Sequence, residues 1–502
     1  VIYPDDGKLD RKGSAAMGLS RLGLALFVVG AASSKTVAWD FFPLNRQPVW
    51  TSEAAGHVAT GGGWVDVDGD GWIDMVVANG NDIERQPVVI YHNRGDGSFP
   101  GEATWRSSDI DYHGHLDLGD INGDGLPDLA VAVYLGPAGF ASPGGAKVYL
   151  NRGDGGFSHT PDWQSDESFY TFSVALGDAD GDGDLDLACA CGEDYTDKRE
   201  PQRIFFNHQG TLEAVASWRS SERDYALDVA WVDVDRDGDL DVAFCGASSP
   251  LRLYVNEQTS GGGLPTVASW ENADLPQLGN TIAFGDWDGD GFPELAVADN
   301  HQLGGEGRFK VYANNQGELA KTPAWTSSAS RYGSHVSWID LDRDGDLDLA
   351  AGAWWDRVMV FENAGGALGA TPAWTSLTSS VIESMFWGDV SNQALRGEVL
   401  RRAGDGMATL FVLPFAPARS VDEVRVGGQT VSDWVAHPSN GWVSLASPPA
   451  AGEEVVIRFT YTTAPKLGVT NWDDDQGNFV FDYRYDMIYS PDALRTGRRR
   501  VP

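Results

Sequence analysis

Apolar residues in this chain come in short runs and never at helical spacing. Met75–Ala78 and Asp128–Val133 show the form: β-favouring residues entered from an acidic stretch and left through a Gly- or Asn-bearing turn. A second run follows each, ending in Asn with a Gly two or three residues on, as in Val148–Gly153. The absence of a 3.6-residue period predicts strands throughout. A Trp recurs in step with these runs, at Trp50, Trp105, Trp163, Trp218, Trp270 and Trp325. Each unit holds about four strands, and a four-stranded unit of this length, repeated, predicts an all-β β-propeller.

The polar half of the repeat carries the chemistry. Six times the chain reads Asp-x-Asp-x-Asp-Gly-x-x-Asp or a close variant, starting at Asp66, Asp120, Asp178, Asp233, Asp286 and Asp340. The starts are 54, 58, 55, 53 and 54 residues apart. Carboxylates at positions 1, 3 and 5 of a tight loop point inward together, and an acid at position 9 returns to close the cage. Calcium takes six to eight such oxygens, and the carbonyl at position 7 can add one. Gly at position 6 supplies the positive φ that folds the loop back. Unneutralised carboxylates at this density repel one another, so Asp-rich turns without a cation are the weaker reading. No His or Cys stands at a ligand position, which disfavours zinc and copper. An EF-hand is excluded because no helical period flanks the loops and the closing acid is at position 9, not 12.

These loops with their apolar strands resemble the FG-GAP/VCBS repeats of integrin α-subunit propellers and of many secreted bacterial proteins. The resemblance covers roughly residues 1–391 and 466–490. It implies calcium as cofactor, about six ions, with ligands at Asp66, Asp68, Asp70 and Asp74, then Asp120, Asn122, Asp124 and Asp128. Next come Asp178, Asp180, Asp182 and Asp186, then Asp233, Asp235, Asp237 and Asp241. The last two sets are Asp286, Asp288, Asp290 and Glu294, then Asp340, Asp342, Asp344 and Asp348. Asn122 removes one charge, and Glu294 is one carbon longer than the pattern. Six loops exceed what an integrin-type propeller implies.

Degenerate units flank the six. Ala16–Ser20, Leu22–Leu26, Lys35–Trp39 and Pro48–Trp50 read as an N-terminal blade with its acidic loop deleted. Trp374 precedes Asp389 as the other Trp residues precede their loops, but Ser391 and Asn392 replace the acidic run. Met407–Leu413, Val421–Val426, Gly441–Leu445 and Glu454–Phe459 then alternate in texture and predict a small Ig-like β-sandwich. Lys466–Trp472 and Gly477–Asp482 resume the blade pattern. The expectation is a propeller over 1–391, a sandwich inserted at 392–465, return strands at 466–490 and a basic tail at 491–502. Eight blades are favoured, with seven as the alternative.

A formal charge of −37 argues against nucleic acid as a partner. Cys189, Cys191 and Cys245 are too few for a disulfide framework and read as buried thiols. Met17–Ala32 is signal-like in composition but too short for a comfortable membrane span, and is read as strands. His115 and His335 stand five residues before their loops, and Asp228 matches them, so the three would ring a central channel. No nucleophile, zincin or phosphate-loop motif is present, and no enzyme activity is expected. Trp354, Trp355 and Tyr134 are candidates to stack on sugars.

The function expected is a secreted or surface-exposed calcium-stabilised scaffold. The basic Arg495–Arg500 and the strand-like ends at Val1–Tyr3 and Met487–Tyr489 suggest self-association, head to tail, into a filament. A monomeric adhesion or glycan-binding module is the alternative, and a polysaccharide lyase the third reading.

Overall fold

The computed structural model describes residues 43–53, 57–274, 278–301, 306–472 and 476–483, and every regular element among them is a β-strand. Seven four-stranded antiparallel sheets are arranged so that the innermost strand of each packs beside the innermost strand of the next. Blade three is representative. Thr171–Gly177 lies innermost, Asp186–Cys191 and Arg203–Phe205 follow, and Trp218–Arg219 is outermost. The second strand is buried along its whole length, because each blade is covered by a neighbour on both faces. That double burial is why the strand reads as an unbroken apolar run and not as an alternation.

The ring closes at seven blades. The last blade takes Ile382–Gly388, Lys466–Asn471 and Phe479–Phe481 from the end of the chain and Trp50–Thr51 from its beginning. Trp50 pairs with Val480 and Thr51 with Phe479. The inner strand of this blade packs against those of both the first and the sixth, which leaves no place for an eighth. The eight-blade expectation is therefore corrected to the alternative. It failed because each recurrent Trp opens the outer strand of the preceding blade, so the sequence repeat is offset from the structural one. Trp50 closes blade seven, not an N-terminal unit. The rest of that expected unit, and the segment 17–32, lie outside the described residues, as does the basic tail.

Between the first and second strands of blade seven the chain makes two further sheets. One contains Leu395–Ala403, Ala418–Val426, Gln429–Thr430 and Glu454–Thr462, the other Leu410–Val412, Trp434–His437 and Trp442–Leu445. Leu400, Phe411, Val424, Val443, Ile457 and Phe459 form the core they share. The insertion leaves where the blade's acidic loop would be, and it folds back over the acidic-loop face of the propeller. Leu410, Val435 and Trp442 join the core of blades two to four, and Leu410 N donates to Gly238 O at 3.1 Å. The His437 imidazole lies 2.9 Å from Asp117 Oδ1, and Arg419 reaches Asp66 Oδ2 at 3.5 Å.

Candidate metal centres

Each acidic loop joins the first strand of a blade to its second. In the first loop Gly71 N donates to Asp66 Oδ2 at 2.9 Å, Asp70 N to Asp68 Oδ1 at 3.1 Å and Trp72 N to Asp70 Oδ1 at 2.8 Å. The N–H of the seventh residue donates to the fifth side chain in all six loops. The six position-6 glycines, Gly71, Gly125, Gly183, Gly238, Gly291 and Gly345, all have φ between +86° and +97°. A Cβ there would strain the turn that brings the acids together.

The ninth residue does more than close a cage. Asp74, Asp128, Asp186, Asp241, Glu294 and Asp348 are all essentially fully buried. One oxygen of each accepts the backbone N–H of the loop's second residue, from Val67 to Asp74 at 3.0 Å and from Val234 to Asp241 at 2.8 Å. The other accepts the N–H of an Asn beyond the third strand, from Asn93 to Asp74 at 2.8 Å and from Asn256 to Asp241 at 2.7 Å. Glu294, despite its extra carbon, makes the same two bonds, with Trp287 N at 3.0 Å and Asn314 N at 3.3 Å.

Buried acids this close together suppress one another's ionisation. Burial, then neighbouring carboxylates, push Asp178 and Asp233 up to about 7 and Asp340 up to about 6. Burial likewise raises Asp74, Asp128 and Glu294 to about 7 and Asp348 to about 8, although backbone N–H donors oppose it. Asp186 and Asp241 are raised well above the usual carboxylate range by the same burial.

Within single loops the donor atoms converge. Asp66, Asp68 and Asp70 bring ligand oxygens within 4.8 Å of one another, as do Asp178, Asp180 and Asp186, and Asp233, Asp235 and Asp241. Asp66 Oδ1, Asp180 Oδ1, Asp233 Oδ1 and Asp340 Oδ1 are buried and accept no hydrogen bond. All four lie at loop positions 1 or 3. A hard divalent cation on an all-oxygen set fits these orphaned atoms and the suppressed ionisation together. His92 stands near Asp68 and Asp74, and His208 near Asp180 and Asp182. Sequence reasoning missed both, since they are brought in by the third strand, outside the nine-residue pattern.

The Asn beyond the third strand ties the loops into a ring. Its Nδ2 donates to the carbonyl of the second loop residue in the preceding blade. Asn151 reaches Val67 O at 2.9 Å, Asn207 reaches Ile121 O at 2.7 Å and Asn256 reaches Ala179 O at 2.9 Å. Asn314 reaches Val234 O at 2.9 Å and Asn363 reaches Trp287 O at 2.6 Å. Asn93 does the same to Val390 O of the seventh blade, which lacks the acidic run, at 2.9 Å.

The other candidate residues divide. His115, Asp228 and His335 lie on the inner strands, where His115 Nδ1 is 3.7 Å from Asp228 Oδ1. Trp355 is 57 % exposed at a turn on the face opposite the acidic loops, packed against Trp354, Trp472 and Tyr332 with ring centroids 6.0, 6.2 and 5.8 Å away. Tyr134, expected as a sugar-stacking candidate, is instead buried against Phe172. It sits within the second strand of its blade, which neighbours cover on both faces. The three cysteines are buried and unpaired with one another.

The family described as FG-GAP-like repeat matches at 66–131, 135–189, 237–297 and 286–351, and FG-GAP repeat matches at 115–150. Over 110 residues, 21% of this chain, it is 34% identical to the uncharacterized protein YybI of Bacillus subtilis (strain 168). The chain spans 40% of that relative's length. Among solved structures it is similar to BBS1N, in a crystal structure with ARL6DN soaked with mercury, at a TM-score of 0.47 and 11% identity, covering 70% of this chain and 92% of that one. It is also similar to the computationally designed Ika8 protein, at a TM-score of 0.37 and 9% identity, covering 68% of this chain and 94% of that one. No helix among the described residues is long and apolar enough to cross a membrane.

Proposed function

We propose, from the premise that this chain is an FG-GAP repeat protein, that it is an extracellular, non-catalytic module in which calcium at the six loops stabilises the propeller and the opposite face binds saccharide. Calcium is supported by the oxygen-only loops and their orphaned carboxylate oxygens. The extracellular reading follows from calcium being abundant there.

The observation that carries saccharide binding is the turn at Trp354–Trp355. This is a two-residue hairpin loop between Asp348–Ala353 and Asp356–Phe361. Trp355 holds φ at +56°, where Asn81 and Ser248 occupy the corresponding turns of other blades. A hairpin turn of this kind favours Gly or Asn, and a bulky residue in the left-handed region costs about 1–3 kcal/mol. An indole kept there against local preference, half exposed and braced by three other aromatic rings, serves something other than stability. A rigid indole face with the Arg331–Asp356 ion pair beside it offers a stacking surface and planar hydrogen-bonding groups, the chemistry that recognises a sugar ring.

Trp355→Asn tests this. The variant is expected to keep or raise its Tm, since Asn tolerates the turn, and to lose at least ~10-fold in affinity on a glycan array and in affinity electrophoresis. Undiminished saccharide binding by the variant would remove Trp355 from the site. Absence of saccharide binding by the parent protein, with polymers seen by light scattering in calcium, would favour the filament reading instead.

A further inference from the structure

The inner strands carry buried polar groups that the calcium loops do not use. His115, Asp228 and His335 each stand five residues before a loop, on blades two, four and six. Each lies at a register irregularity of its inner strand, where an extra residue re-aims side chains. Glu383, at the start of blade seven's inner strand, is fully buried.

Their hydrogen bonding is incomplete. Asp228 Oδ1 accepts Ser173 Oγ at 2.7 Å, and its Oδ2 accepts Ile282 N at 2.9 Å, so the carboxylate is held in one orientation. Glu383 Oε2 accepts Trp354 Nε1 at 2.6 Å. Against these, His115 Nε2 and His335 Nδ1 are buried with no hydrogen-bond partner, and Glu383 is faced by the Trp472 indole as well as by Trp354. The 3.7 Å between His115 Nδ1 and Asp228 Oδ1 is too long for a hydrogen bond. It is close to the spacing of two ligands on one tetrahedral cation, roughly 3.4 Å for bonds of ~2.0–2.2 Å. The groups also feel one another. Burial, then His115, pushes the His335 imidazole down to about 4. Burial pushes Glu383 up to about 7 against the pull of His115.

We propose that the inner strands of the propeller hold a first-row divalent transition-metal ion, zinc by its chemistry, ligated by His115, His335 and Asp228 with Glu383 beside them. Two neutral imidazoles and a carboxylate are a borderline-soft donor set, distinct from the all-oxygen loops. Ser173 and Ile282 N would be the outer partners that orient the Asp228 carboxylate, and Trp354 the partner of Glu383. Through Trp354 the site connects to the aromatic face without depending on what that face binds.

The test uses the full chain, stripped with chelator and then saturated with calcium so that the loops, including those near His92 and His208, are occupied. Cobalt(II) is added and followed by its visible d–d absorption, and zinc by calorimetry. The expected result is one equivalent bound with a tetrahedral or five-coordinate spectrum. His115→Ala and His335→Ala should each weaken binding at least ~10-fold, with Tm in calcium recorded for each. His92→Ala should change nothing. Failure of the calcium-saturated parent protein to bind one equivalent overturns the proposal, whether or not the variants fold. So does unchanged binding in the His115→Ala/His335→Ala double variant, and so does loss of binding in His92→Ala alone.

Discussion

Tyr483 donates its hydroxyl to the carbonyl of Leu341, 3.0 Å away and 142 residues earlier. Leu341 is the second residue of the sixth acidic loop, and in every other blade an Asn makes the corresponding bond. With Asn93, Asn151, Asn207, Asn256, Asn314 and Asn363 it completes seven ties running once around the ring. The seventh blade has no acidic loop of its own, yet it supplies both halves of the pattern, since Val390 O accepts from Asn93. The ties also draw each loop backbone toward the next blade, so a cation held in the loop would act on the same segment as blade packing.

Loss of one tie should be measurable. Asn207→Ala removes bonds to Ile121 O and Leu185 O in a fully buried place and strands both carbonyls. The expected cost is about 1–3 kcal/mol in calcium-saturated protein, read from urea unfolding. Tyr483→Phe removes the bond to Leu341 O but strands only that one carbonyl, and should cost less, about 1 kcal/mol.

Chelation should lower the Tm, and by more at higher pH. The ninth-position acids Asp74, Asp128, Glu294 and Asp348 have folded values near 7 to 8 in the metal-free protein, against about 4 when unfolded. Their raised values mean that the metal-free fold is most stable below the unfolded value and loses stability as pH rises through 7 to 8. Melting in EDTA should therefore fall between about pH 5 and pH 8, while millimolar calcium should largely remove that slope. Each filled site adds about 2.7 kcal/mol at a hundredfold excess over its Kd.

Docking of the inserted sheets should weaken with alkalinity. Burial disfavours the charged His437, but Asp117 outweighs it and the imidazole's pKa is raised. A raised His value gives stability that is full below about 6.5 and is lost as pH passes the folded value. Hydrogen exchange across Trp434–His437 should accelerate on that rise, and His437→Gln should make it independent of pH in that window.

Truncation should register the blade count. A chain beginning at residue 43 keeps all seven blades, including the 3.1 Å bond from Trp374 Nε1 to Leu44 O, and should melt as the full chain does. A chain beginning at residue 54 loses Trp50–Thr51, the outer strand of blade seven, and should melt several degrees lower. A marked loss on removing only residues 1–42 would speak for an eighth unit.

The acidic loops, the strands and the propeller class were legible in the sequence because they are local. A nine-residue loop positions its own carboxylates, and a strand covered on both faces must be apolar throughout, so both write their chemistry into consecutive residues. The Asn that ends each second run was visible as the end of a strand, but its partner carbonyl was not, because Asn207 and Ile121 meet only when one blade packs on another. The blade count was misjudged for the same reason: Trp50 is identical in context to the other recurrent Trp residues, and only closure of the ring assigns it to Val480 rather than to its own neighbours in sequence. His115 and Asp228 were likewise separate letters until the inner strands of blades two and four brought them within 3.7 Å of each other. What a short segment can satisfy by itself, the sequence determined; which distant segment satisfies a buried group, only tertiary packing decided.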